Sequence, residues 1–166
     1  MYIPTVIGVD PGLVHTGVVS LEFDLVQRRL TVNHAAFDGL DAVAVGLAIE
    51  TWHPDKVPTT LDIFIEHYVP RSAFGVDERM VQANKTFETT LQGKLLRNTG
   101  VTKIVSRELM ELLNVWSFPT STHHQDLRSA ARIALLGMML DGTLNKLLYT
   151  FVVDQLDGRN WDVRAN

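Results

Sequence analysis

Apolar positions along the chain fall into two periods. Thr5–Val9 (TVIGV) is a short, β-branched run that reads as a buried strand. In Gly17–Leu25 (GVVSLEFDL) Ser20, Glu22 and Asp24 alternate with apolar neighbours, and Leu30–Ala36 returns as a third strand after a turn near Arg28-Arg29. Together they predict an antiparallel meander. Asp41–Thr51 changes to helical spacing, with Asp38 or Asp41 as candidate cap. Leu61–Ile65 (LDIFI) predicts a fourth strand that ends at Glu66. Glu78–Asn98 predicts a long helix with the stripe Met80, Ala83, Phe87, Leu91, Leu95, stopped by Gly100. Val101–Val105 (VTKIV) predicts a fifth strand, Arg107–Leu113 a short helix and Ser117–Thr122 a loop. Two more helices are expected, His123 to about Leu140 and Leu144–Leu156.

A three-strand meander followed by helix-linked strands implies an α/β fold. The expected sheet is mixed and five-stranded, with helices on both faces. The 166 residues suit one domain spanning 1–166. Hydrophobic residues make up 46% and charged residues 20%, which argues against wholesale disorder. With no cysteine, disulfides and thiolate metal sites are excluded, so any metal must be held by oxygen or imidazole. The start MYIPTVIGV has neither a basic segment nor a long apolar one, and no apolar run is long enough to span a bilayer. The expectation is a soluble, intracellular protein.

Charge is unevenly spread beneath the formal total of −4. Residues 1–66 carry 3 basic and 9 acidic side chains, residues 67–107 carry 7 and 3, and residues 108–166 carry 5 and 7. A basic middle in an acidic chain is a footprint for a polyanion or a solvated basic helix face.

The candidate chemistry lies at the ends of elements. Asp10 and Glu66 each close a mostly apolar strand, and proline follows soon after each, as Pro11 and Pro70. If the strands are neighbours, both carboxylates leave the sheet at one edge, where a divalent cation would relieve their repulsion. Two separate turn acids are the plainer alternative. The third segment is THHQDLRSAARIALL. Thr122 and Gln125 match a capping box, and His123 and Asp126 stand three apart on one helix face, near the positive end of the dipole. His124 points elsewhere. Ser129, Ala130 and Ala131 allow this helix a close approach to a flat surface. His15 and Thr16 follow the first acidic motif, where a loop role suffices.

These segments resemble a known family. IGVDPGLVHTG resembles the first motif of RuvC-type Holliday junction resolvases, members of the RNase H-like superfamily. LDIFIEHY resembles the family's glutamate-bearing strand, and HHQDLRSAARIAL its last motif, where His or Asp precedes the final Asp by three residues. The resemblance runs from residue 5 to about 140, and the small, divergent form is closer to a phage or phage-derived member. It implies an RNase H-like fold and a metal-dependent endonuclease that cuts four-way or other branched DNA as a homodimer. Two Mg²⁺ ions, replaceable by Mn²⁺ and ~3.5–4 Å apart, would be shared through Asp10. Glu66 would bind one, and Asp126 with His123 the other. A cytoplasmic location in a bacterial or phage-infected cell would follow.

The resemblance also implies an aromatic wedge after the glutamate strand, for which Tyr68 and Phe74 are candidates. It implies a dimer helix, so the Met80–Leu95 stripe serves either dimerisation or the core, not both. Arg71, Lys85, Lys94, Arg97, Lys103 and Arg107 are candidate phosphate contacts, as are Arg128 and Arg132, one of which would meet the backbone near the scissile phosphate. The rival readings are an RNA-processing, flap or Y-fork nuclease with the same site, and a non-catalytic junction-binding module. An actin-like ATP-binding fold is a further rival, for which this chain is too short.

Overall fold

A computed structural model describes residues 2–166. The predicted meander is present as β1 (Thr5–Asp10), β2 (His15–Asp24) and β3 (Arg29–Asp38), paired antiparallel in order. Helix α1 (Ala42–Trp52) follows, capped by the Asp41 carboxylate, which accepts from the Ala44 amide. β4 (Asp62–Glu66) then pairs parallel with β1. The remaining elements are α2 (Glu78–Leu91), β5 (Lys94–Leu96), α3 (Val101–Ile104), α4 (Arg107–Leu112), α5 (His124–Leu140), α6 (Gly142–Leu156) and β6 (Asp162–Ala165).

The sheet has six strands, in the order β5-β4-β1-β2-β3-β6. The sixth, beyond the five expected, pairs parallel with β3 at the far edge. Buried Trp161 anchors it by donating through Nε1 to Asp154 of α6. Helices cover both faces. One face carries α5 and α6 over Val6, Leu21, Leu30 and Phe64, and the other carries α1 and α2 over Ile7, Val9, Ile63 and Ile65.

Two expected elements change identity. The helix predicted to reach Asn98 stops at Leu91, because Gln92 turns left-handed (φ 54°, ψ 38°). At Gly93 a Cβ would lie 2.8 Å from the Ile65 side chain, so the chain there hugs β4 and continues as its parallel neighbour. Leu91 and Leu95 match a helical stripe in sequence, yet open backbone groups on the edge of β4 capture Lys94–Leu96 as a strand. Conversely, Val101–Ile104 is a helical turn, not a strand. Gly100 opens it in the left-handed region, and Val101 and Val105, four apart, are both buried. The stripe of α2 is core packing: Ala83, Phe87 and Leu91 are buried against the sheet. It is therefore unavailable as a dimer surface. Among the described residues no helix is long and apolar enough to cross a membrane.

Candidate active site

The register of β1 against β4 decides where the first two acids go. Val9 lies beside Ile65 on the parallel strands, so the next residue on each is an acid, Asp10 on one and Glu66 on the other. Both leave the sheet at the same edge, as the strand-end pattern predicts. Pro11 and Gly12 then turn the chain away and β2 returns with Gly17 opposite Asp10.

The third acid arrives by close packing of α5. A Cβ on Gly17 would stand 2.5 Å from the Asp126 carbonyl oxygen, and one on Gly8 would stand 1.9 Å from that of Ala130. The helix backbone therefore lies directly on β1 and β2, and only glycine permits the approach. Small Ala130 and Ala134 complete the contact from the helix side, fully buried. The first turn of α5 is thus pinned over Gly17, where Asp126 faces Asp10.

The electrostatics reflect this crowding. Burial, then hydrogen bonding and charge from Glu66, and then the charge of Asp126, push the Asp10 carboxyl up to about 9. Hydrogen bonding from Ser129 works in the opposite direction. Ser129 is one turn beyond Asp126, on the same helix face. His123 Nδ1 lies 3.6 Å from Asp126 Oδ2, so the spaced pair does meet. Its position in the helix differs from expectation. His123 itself is the N-cap residue, and the Thr122/Gln125 capping box does not form. Instead the Ser121 hydroxyl accepts from the His123 amide, and the His124 ring accepts from the Phe118 amide. A tight loop before the helix competes for the groups that the box would use.

Three further residues complete the setting. Asn98 donates to the Glu66 carboxylate. Buried Asn84 of α2 donates to the Glu66 carbonyl and accepts from the Tyr68 amide, which ties the strand end to the helix. The His15 ring lies against that of His123, tilted by 60° with centroids 4.3 Å apart, and meets Asp38 at 3.3 Å. Asn98 escaped notice because the residues before it read as helix. Ser129 was visible as the i+3 neighbour of Asp126, but only as a small residue. His15 had a signal only in its nearness to Asp10 around the Pro11-Gly12 turn.

Among the described residues no three His, Asp or Glu side chains already form a finished metal cage. The donor chemistry nevertheless fits a hard divalent cation: crowded carboxylates, of which Asp10 is held protonated at neutral pH, with an imidazole at the margin. Asp10, Glu66 and Asp126 would hold it, with His123 beside them.

The other candidates divide. Glu66, Tyr68 and Arg71 line a cleft of about 760 Å³ that also includes Pro11 and Asn98. Tyr68 is a brace, since its hydroxyl donates to Gly75 O and accepts from the Asp77 amide. Phe74, next to that brace, is fully exposed at 102%. Lys85 lies on the outer face of α2. Lys94 acts on Asp62 and Asp141, at the opposite end of β4 from Glu66. Arg128 and Arg132 gather at Trp116.

No family model and no curated protein matches the sequence. Solved structures do match. Thermus thermophilus RuvC superposes with a TM-score of 0.52 at 15% identity, over 89% of this chain and 96% of that one. The chain has the RuvC fold. Fowlpox virus resolvase, solved with its substrate Holliday junction DNA, gives 0.44 at 12% identity over 87% and 99%. The nuclease domain of the bacteriophage SPP1 large terminase, solved with bound Mn, gives 0.42 at 10% over 81% and 86%. The mixed sheet between two helical layers found here matches the fold of RuvC.

Proposed function

We propose that this chain is a single-domain, metal-dependent endonuclease that hydrolyses phosphodiester bonds in branched DNA, four-way junctions above all. The observation that carries the reading is the meeting of Asp10, Glu66 and Asp126 at one sheet edge, beside an open cleft. A purely structural acid triplet would be a poor use of such a place, because the crowding holds Asp10 protonated and gains nothing for the fold.

Two Mg²⁺ ions, or Mn²⁺ in their place, would supply an activated water and stabilise the leaving oxygen when bound. The chain's own residues set up the rest. Asp10 stands between Glu66 and Asp126 and would be the ligand common to both ions. Asn98 orients the Glu66 carboxylate. Ser129 favours the ionised form of Asp10, and His123 closes the side next to Asp126. Phe74 is the side chain free to enter a junction, whereas Tyr68 is held by its loop. Paired cuts on a twofold-symmetric junction call for a homodimer.

Digestion of labelled junction, flap, linear duplex and RNA substrates in Mg²⁺, in Mn²⁺ or in EDTA tests the reading. Metal-dependent cleavage of the junction ahead of the others is expected. Preference for flap or RNA would move the same site to another substrate. Tight junction binding without nicking in either metal would make the protein a binding module.

A further inference from the structure

The flank of α5 that faces away from Asp126 carries a second concentration of chemistry. Trp116 lies in the loop between α4 and α5, and three guanidinium groups surround its ring. Arg128 stands 4.0 Å from the ring centroid, Arg107 4.9 Å and Arg132 5.7 Å. Arg128 also donates through Nε to the Trp116 carbonyl at 2.6 Å. Among the described residues no carboxylate lies within 4.0 Å of Arg128 or Arg132, and Arg107 alone has an acid, Glu111 at 2.6 Å. Arg132 Nε is buried and has no hydrogen-bond partner.

Two adjacent guanidinium groups without a counter-charge repel each other, and burying one raises the penalty. The chain stabilises them through the face of Trp116 and, for Arg128, one bond to the Trp116 carbonyl, contacts that hold the planes but leave most N–H donors free. His124, Arg128 and Arg132 repeat every four residues, so they form a single stripe along the helix. That stripe is turned by about 120–160° from Asp126 at 100° per residue. Anything bound there is some 10 Å or more from the metal-site acids, across the width of the helix. It is not the scissile phosphate.

We infer that Arg128, Arg132 and Trp116 form a phosphate-binding site for the nucleic-acid backbone, which holds one arm of the substrate on the outer flank of α5. This rests on the nuclease reading for its occupant. The free forks suit bidentate contact with phosphate oxygens, and such contacts carry no sequence preference. Trp116 acts as the platform that orders the arginines and is not itself open for base stacking.

The test is binding of a fluorescent four-way junction in EDTA across a salt series, for the parent and for Arg128→Gln/Arg132→Gln. Junction cleavage by the parent in Mg²⁺ is run alongside. Loss of two phosphate contacts should lower the slope of log K against log salt by about two and weaken binding about tenfold or more at low salt. Arg132→Lys should restore part of the slope, because the charge returns. If the double variant does not fold, Arg132→Gln alone should lower the slope by about one, since Arg132 gives up no internal hydrogen bond. An unchanged slope in folded variants overturns the site while cleavage by the parent still stands. A parent that binds no DNA overturns it too, and absent cleavage then marks the failure of the nuclease reading itself.

Discussion

Replacing Asp10 with Asn should make the metal-free protein more stable while removing its activity. In the folded chain the Asp10 carboxyl is held at about 9, against 3.8 for the free side chain, by burial and by Glu66. A carboxyl whose folded value lies above its unfolded one contributes its full stabilisation below about pH 4 and loses it as pH rises towards about 9. Each pH unit in that window removes at most about 1.4 kcal/mol, so the ceiling between pH 4 and 7 is about 4 kcal/mol. Asp10 keeps some contact with solvent and is relieved in part by Ser129, which brings the expected gain for Asn to about 1–3 kcal/mol near pH 8. Urea unfolding in EDTA at about pH 5 and pH 8 reads this directly. The difference between Asp10→Asn and the parent should grow from the lower pH to the higher. Added Mg²⁺ should then stabilise the parent by binding the folded state and leave the variant unmoved. A variant no more stable than the parent at pH 8, or one equally stabilised by Mg²⁺, would refute the crowded-carboxylate account.

Gly17→Ala should place a methyl against the Asp126 carbonyl and lift the first turn of α5 off β2. Unfolding should show a loss of about 1–3 kcal/mol, and cleavage should fall about 100-fold, since displacement of Asp126 by about 1 Å suffices. Asn98→Ala frees the Glu66 carboxylate and should weaken Mg²⁺ affinity by about 10–100-fold, with the cleavage rate recovered in part by excess metal in a titration. Phe74→Ala touches no packed group, so stability should change by less than about 0.5 kcal/mol. The ratio of junction to linear-duplex cleavage should nevertheless drop.

How much of this was legible depended on the range of the forces involved. The meander, α1, β4 and the last two helices follow local patterns that tertiary packing did not overrule. Asp10 and Glu66 were legible for a similar reason, because an acid closing an apolar strand marks an edge. The pairing of β1 with β4, which brings them together, is set by long-range contacts. Lys94–Leu96 and Val101–Ile104 were misread because edge pairing on β4 and burial beside α5 outweigh short runs of propensity. The Thr122/Gln125 cap failed because Ser121 and His124 form a tighter loop with their neighbours. The approach of α5 was only half visible. Ser129, Ala130 and Ala131 announced a flat partner, but nothing in the sequence pairs the helix with Gly8 and Gly17. Asn98 and the Trp116 cluster depend wholly on the folded geometry.

The central claim is that Asp10 organises metal-dependent cleavage of branched DNA. Its most direct test is cleavage of an end-labelled four-way junction, mapped at nucleotide resolution, by the parent and Asp10→Asn in Mg²⁺. The parent should give paired, symmetric cuts that leave 5′ phosphates and vanish in EDTA, and the variant should bind the junction without cutting it. Cuts by Asp10→Asn at the parent's rate and positions would contradict the account.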